Sequence, residues 1–83
     1  NKAFVGVNSI DLEKVTISDE EEGRCNETIL NNATERYVLA DHSKFSTHAF
    51  YTFFQLKDLT AIISDDVLDE NIKDQYRKEV EII

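Results

Sequence analysis

Short apolar runs alternate with stretches of helical period, and this order limits the possible folds most strongly. The runs are Ala3–Val7, Tyr37–Ala40, Thr60–Ser64 and Val80–Ile83. A short apolar run bounded by polar residues is typical of a buried strand. We predict helices between the first two runs and between the last two. Strands that alternate with helices predict an α/β fold with a largely parallel sheet and flanking helices.

The first predicted helix has a start signal and one apolar face. Ser18 and Glu21 have the spacing of a capping box, so the helix is expected to begin there. Gly23, inside the helix, is expected to permit close packing. Residues at four-residue spacing predict a stripe that faces the core. This stripe comprises Cys25, Ile29 and Ala33, with Leu30 beside them.

The remaining segments are assigned from periodicity and composition. A second helix is predicted over residues 69–78, with Leu68, Ile72 and Tyr76 on one face. Residues 45–59 are expected to be largely extended and to hold the aromatic centre of the chain, namely Phe50, Tyr51, Phe53 and Phe54. Residues 8–11 are expected to form a polar loop after the first strand.

Three polar side chains directly follow the second predicted strand: Asp41, Ser43 and Lys44. In open α/β sheets, ligands bind outside the carboxyl ends of the strands. A carboxylate can orient a hydroxyl, Ser43 can donate or accept, and the Lys44 ammonium suits a phosphate. This order favours a small polar, anionic ligand. An alternative of equal weight is a turn, in which Asp41 or Ser43 bonds nearby backbone and Lys44 lies in water.

Length and charge exclude some classes of function for this segment. Eighty-three residues make at most one small domain. The net charge is −8, with 17 acidic against 9 basic side chains. Because DNA binding draws much of its affinity from neutralised phosphates, we expect this segment to repel DNA. If the parent protein binds DNA, another part must do so.

Three segments in the right order resemble one bacterial family. Residues 1–11, NKAFVGVNSID, resemble the KAFIGANGID segment of DeoR-type transcriptional repressors, and residues 38–45, VLADHSKF, resemble their LLADSSKFG segment. Residues 49–66 are similar to AF-x-x-FAPLSDID followed by IITDD. The resemblance identifies residues 1–83 as a single partial domain, the C-terminal part of the effector-sensing domain.

The resemblance implies a fold and a role. The fold is the one shared with ribose phosphate isomerase, glucosamine-phosphate deaminase and CoA transferases, of which this chain would form a partial, open sheet. The implied role is a cytoplasmic repressor of sugar metabolism that senses a phosphorylated sugar. Operator DNA would be bound only through a winged helix-turn-helix, which lies outside these residues with the first half of the sensor domain. An unpaired strand edge tends to recruit another chain, so we expect a homo-oligomer.

The resemblance also implies a set of effector-binding residues: Asn8, Asp11, Asp41, Ser43 and Lys44. Residues 8–11 look like the isomerase loop that carries two aspartates, and residues 41–44 look like its D-x-S-K loop, whose lysine contacts phosphate oxygens. Asn8 replaces the first aspartate. An amide cannot act as a carboxylate base, but it can bond sugar hydroxyls. This change favours a binding protein, while a sugar phosphate isomerase and an oligomerisation module without ligand remain alternatives.

Two departures from the family pattern concern glycine. The pattern has glycine near Val15 and at Ser46. Glycine at such places usually permits a positive φ. We therefore expect Ser46 to alter the path of the loop after Lys44 and, with it, the geometry of the effector site.

The sequence predicts no metal and no cofactor. His42 and His48 lack the three or four ordered ligands of a zinc site, and Asp65-Asp66 is expected to be a cap or turn. The single cysteine, Cys25, cannot form an intramolecular disulfide and is expected to be buried or half-buried. No apolar run approaches the roughly 20 residues that span a membrane.

Overall fold

The computed structural model describes residues 1–83 and shows the predicted α/β fold. Its strands are β1 (Lys2–Gly6), β2 (Ser9–Ile10), β3 (Lys14–Ile17), β4 (Glu35–Leu39), β5 (Tyr51–Gln55), β6 (Ala61–Ile63) and β7 (Glu81–Ile82). Its helices are α1 (Glu20–Asn31) and α2 (Glu70–Tyr76), and short 3₁₀ turns span His42–Lys44 and Leu56–Asp58. Neither helix has the length and apolar composition that crossing a membrane requires.

The main sheet has four strands in the order β1-β4-β6-β7, and all three pairings are parallel. Val38 lies opposite Val5 on one side and Ile62 on the other, and Ile62 lies opposite Ile82. These four aliphatic side chains are buried in a single core. Because the strands are parallel and in register, their carboxyl ends meet at one edge of the sheet.

A second sheet, with antiparallel order β2-β3-β5, was not predicted. The expectation of a polar loop at residues 8–11 is wrong for Ser9–Ile10, because this pair forms a strand and Ile10 is fully buried. Strands of two and four residues are too short for alternation to signal them. The extended segment at residues 45–59 is confirmed in β5, but Phe50 is not part of an aromatic centre, since it is 79% exposed.

Helix α1 begins one residue later than the capping box predicted. Asp19 is the N-cap, and its Oδ1 accepts a hydrogen bond from the Glu21 amide at 3.0 Å. The predicted core stripe is also wrong in part, because Cys25 is exposed and Ile29 is 46% exposed. The helix instead buries Gly23 and Leu30, with Asn26 and Glu27 half-buried between them.

Gly23 sets this orientation of α1 because it is the point of closest packing. A Cβ atom at Gly23 would lie 2.5 Å from Cδ2 of Tyr51 and 2.9 Å from Cγ2 of Ile17. A residue two positions further along a helix points about 200° away, so Cys25 faces solvent. The close packing predicted for Gly23 is confirmed.

Helix α2 packs through the face that was predicted. Leu68 and Tyr76 are buried, and Ile72 packs against the core. The Tyr76 hydroxyl donates to the Ile10 carbonyl at 3.1 Å and accepts from the Ser46 amide at 2.9 Å. One buried hydroxyl therefore ties α2 to β2 and to the loop after residue 45.

One face of the parallel sheet is uncovered. Phe4 and Tyr37 stack on it with ring centroids 5.0 Å apart, and Phe4 is 53% exposed. Leu39 and Ile83 are also exposed. Parallel sheets are normally covered on both faces, so this apolar surface is suited to contact with further protein.

Replacement of Gly23 by alanine is expected to destabilise the chain. Alanine favours a helix by about 1 kcal/mol, but the added methyl group overlaps two core side chains, and overpacking typically costs about 1–3 kcal/mol. We expect a net loss of about 1 kcal/mol in the free energy of unfolding, measured by urea denaturation. Cys25→Ala, on the exposed face of the same helix, is the control and should change little. Equal or greater stability of Gly23→Ala would contradict the packing described here.

Ser46→Gly is expected to stabilise the chain. Ser46 has a φ of 60°, in the left-handed region that favours glycine. Relief of that strain, about 1–2 kcal/mol, exceeds the cost of about 0.4–1 kcal/mol from the greater freedom of glycine in the unfolded chain. Urea denaturation should show a gain of about 0.5 kcal/mol. Lys78→Gly, at an exposed site without a positive φ, should lower stability; a loss in both variants would count against the strain at Ser46.

Candidate functional site

An open cleft of about 360 Å³ lies at the carboxyl ends of three adjacent parallel strands. It is lined by Gly6 and Val7 at the end of β1, by Leu39–Asp41 and Lys44 at and after the end of β4, and by Ile63–Asp65 at and after the end of β6. Ligands of open α/β sheets bind in crevices at this edge. The cleft is also within the volume range of small-molecule sites.

The turn His42–Lys44 carries the predicted D-x-S-K residues at the rim of this cleft. Asp41 is its N-cap: Oδ1 accepts from the Ser43 amide at 2.9 Å and also from the Ser43 hydroxyl. The Lys44 ammonium lies 3.4 Å from Oδ2 of Asp41. The turn expected as an alternative is therefore present, but Lys44 lies against Asp41 and the cleft rather than in open water.

Hydrogen bonding also sets the charge of this rim. The hydrogen bonds from Ser43 and the nearby Lys44 ammonium hold the pKa of Asp41 below its ordinary value. Asp41 is therefore a carboxylate at neutral pH. The cleft presents one ammonium group and two carboxylates, those of Asp41 and Asp65.

Asp65 is a site residue that the sequence reasoning assigned only to a cap or turn. Its Oδ2 accepts from the His42 amide at 3.1 Å and lies 2.9 Å from His42 Nδ1, while its Oδ1 accepts from the Val67 amide at 3.1 Å. The hydrogen bonds from His42 lower the pKa of Asp65. The turn assignment is confirmed. The sequence contained a signal that Asp65 lines the cleft, because Asp65 follows β6 at the same distance as Asp41 follows β4.

Ser64 supplies a polar group that nothing in the chain satisfies. It lines the cleft, and its Oγ is buried without a hydrogen-bond partner. Most buried polar groups have a partner, so this hydroxyl is an unpaired polar group in the wall of the cleft.

The other two predicted effector residues lie elsewhere. The Asn8 side-chain oxygen accepts from the amide and the hydroxyl of Ser18, both at 2.8 Å, and so ties the end of β1 to the end of β3. Asp11 lines a separate cleft of about 310 Å³, where its Oδ2 lies 3.4 Å from Nδ1 of His48. The structure thus brings Asp41, Ser43 and Lys44 together but does not bring Asn8 or Asp11 to them.

Comparison with known proteins gives consistent relatives. The chain is 33% identical to the HTH-type transcriptional repressor GlcR of Bacillus subtilis, over 86% of this chain and 31% of that protein. It is 34% identical to the lactose phosphotransferase system repressor of Streptococcus mutans, over 100% and 33%. It is 30% identical to the HTH-type transcriptional regulator GlpR of Haloferax volcanii, over 87% and 29%.

The chain thus spans about a third of the length of these relatives. The family model described as the DeoR C terminal sensor domain matches residues 1–66, which include β1, the D-x-S-K turn and β6. These residues supply the whole of the cleft described above. The chain belongs to the DeoR C-terminal sensor domain family.

Proposed function

We propose that this chain forms one wall of the effector site of a transcriptional repressor of sugar metabolism. The observation that carries the proposal is the capped turn His42–Lys44 at the carboxyl ends of β4 and β6, beside the unpaired hydroxyl of Ser64. The proposed ligand is a phosphorylated sugar.

The charges of the cleft assign different parts of such a ligand to different side chains. Lys44 is the cleft's single ammonium group and is assigned to phosphate oxygens. Asp41 and Asp65 would repel phosphate, but each carboxylate can accept from sugar hydroxyls. The hydroxyl of Ser64 adds a donor. One ammonium group is a weak phosphate site, so further phosphate contacts would come from outside these 83 residues.

The relatives' names support the regulatory part of the proposal. Those proteins are described as repressors or HTH-type regulators and are about three times longer than this chain. We propose that a winged helix-turn-helix and the first half of the sensor domain complete the protein, and that the winged helix-turn-helix alone binds operator DNA, in the cytoplasm. The effector would act by binding one repressor conformation more tightly than the other.

The cleft favours binding over sugar phosphate isomerisation. Isomerisation needs a carboxylate base beside the sugar, and the position expected to supply one holds the amide Asn8. That amide oxygen is already bonded to Ser18, and Asp11 lies in another cleft. We therefore propose a role without catalysis.

Lys44→Ala is expected to abolish most ligand affinity. In an NMR titration with hexose 6-phosphates, the wild-type chain should show shifts of Gly6, residues 39–44 and Ser64. Loss of a hydrogen bond to a charged group is worth about tenfold in affinity or more, so the variant should bind roughly tenfold more weakly. Lys57→Ala, in the turn Leu56–Asp58 away from the cleft, is the control with the same charge change. Absence of shifts in the wild type, or equal affinity in Lys44→Ala, would refute the assignment.

We also propose that the chain self-associates through the uncovered face and edge of the parallel sheet. Phe4 and Tyr37 form an apolar patch there, and β1 is an edge strand with unpaired backbone groups. Burial of this exposed apolar area against a second copy of the chain would be favourable in free energy.

Phe4→Glu is expected to weaken self-association. A carboxylate on the uncovered face must be desolvated if a second copy packs there. Light scattering across a range of concentrations should show a dimer or larger species for the wild type and a shift towards monomer for the variant. Phe50→Glu adds the same charge at an exposed phenylalanine outside the sheet and serves as the control. A wild-type monomer at all concentrations would disprove self-association.

A further inference from the structure

We infer that Asp65 is a positioning residue, which holds the turn His42–Lys44 so that Lys44 faces the cleft. The inference rests on the proposed function, since it concerns how the effector cleft is assembled. In this role Asp65, which follows β6, positions the residues that follow β4.

The geometry places Asp65 at the junction of two segments. One carboxylate serves three donors: the His42 amide at 3.1 Å, His42 Nδ1 at 2.9 Å and the Val67 amide at 3.1 Å. The other hydrogen bonds of His42–Lys44 stay within residues 41–47, among them Ser43 amide to Asp41 and Thr47 hydroxyl to the Lys44 carbonyl. Asp65 is therefore the side chain that fastens this turn to the neighbouring strand.

The two aspartates divide the work at the start of the turn. The first amides of a helical turn have no partner within it. Asp41, the N-cap residue directly before the turn, accepts from the Ser43 amide, whereas Asp65, after β6, accepts from the His42 amide. Asp65 thereby fixes where the turn begins relative to β6, and Lys44 follows two residues later.

The same carboxylate selects the form of the His42 ring. An ionised carboxylate only accepts hydrogen bonds, so Nδ1 must carry the proton. Nε2 is then left as the free acceptor of the neutral ring, which is half exposed. This state gives a spectroscopic signature that general loss of stability in a still-folded variant would not produce.

The test compares Asp65→Ala, Asp65→Asn and the control Asp66→Ala, an adjacent exposed aspartate. The probe is glucose 6-phosphate, titrated by NMR against the 83-residue chain, with circular dichroism to verify folding. Amide hydrogen exchange of His42 and the ¹⁵N shifts of its ring are measured in parallel. If Asp65→Ala fails to fold, Asp65→Asn decides, because its one side-chain oxygen can still accept from His42, whereas its NH2 group is a donor and cannot accept from the Val67 amide.

The expected result is roughly tenfold weaker binding in Asp65→Ala, faster exchange of the His42 amide and loss of the Nδ1–H form. Asp65→Asn should bind with intermediate affinity and retain part of the Nδ1–H preference, because its oxygen is a neutral acceptor, and Asp66→Ala should match the wild type. A folded Asp65→Ala with wild-type affinity and an unchanged His42 would overturn the inference while leaving the proposed function intact. If the wild type does not bind the probe, the proposed function fails for that ligand, and His42 exchange and ring shifts still decide whether Asp65 holds the turn.

Discussion

Parallel pairing of β4 between β1 and β6 is the constraint on which the rest of the structure depends. Because all three strands run the same way and stay in register, the residues that follow them meet at one edge. The cleft is a direct consequence of this alignment: each of the three strands contributes its last paired residue and one to three of the residues that follow it. The buried row that includes Val38 and Ile62 holds the strands in this register.

The antiparallel sheet and the two helices are joined to one another and to the loop at that edge by two close contacts. Gly23 brings α1 close to Tyr51 and Ile17, which belong to the second sheet. Tyr76 connects α2 to β2 and to the loop that follows the D-x-S-K turn. The loop between residues 41 and 48 is thus held at its start by Asp65 and near its end by Tyr76.

The parallel sheet could be predicted from sequence because its strands are continuous apolar runs, as in Thr60–Ser64. The antiparallel sheet could not, since Ser9–Ile10 has too few residues for any period to appear. For α1 the spacing of apolar residues predicted the wrong buried face, because Cys25 and Ile29 lie on the exposed side. The orientation of the helix is set by the close packing of Gly23. The close approach of a helix to strands that are distant in sequence produces no periodic pattern in the sequence itself.

The sequence also predicted only part of the arrangement of the candidate site. Asp41, Ser43 and Lys44 lie together because they are neighbours in sequence, whereas the position of Asp11 relative to them depends on the course of β2, which belongs to the second sheet.

The hydroxyl of Tyr76 restricts which residues can stand at position 76. At position 76 a phenylalanine would fill the same space but would leave the Ser46 amide without this acceptor and the Ile10 carbonyl with only the Thr47 amide as donor, and a smaller polar side chain would not reach them. Position 76 therefore favours tyrosine, which fills the core with its ring and joins two separate segments with its hydroxyl.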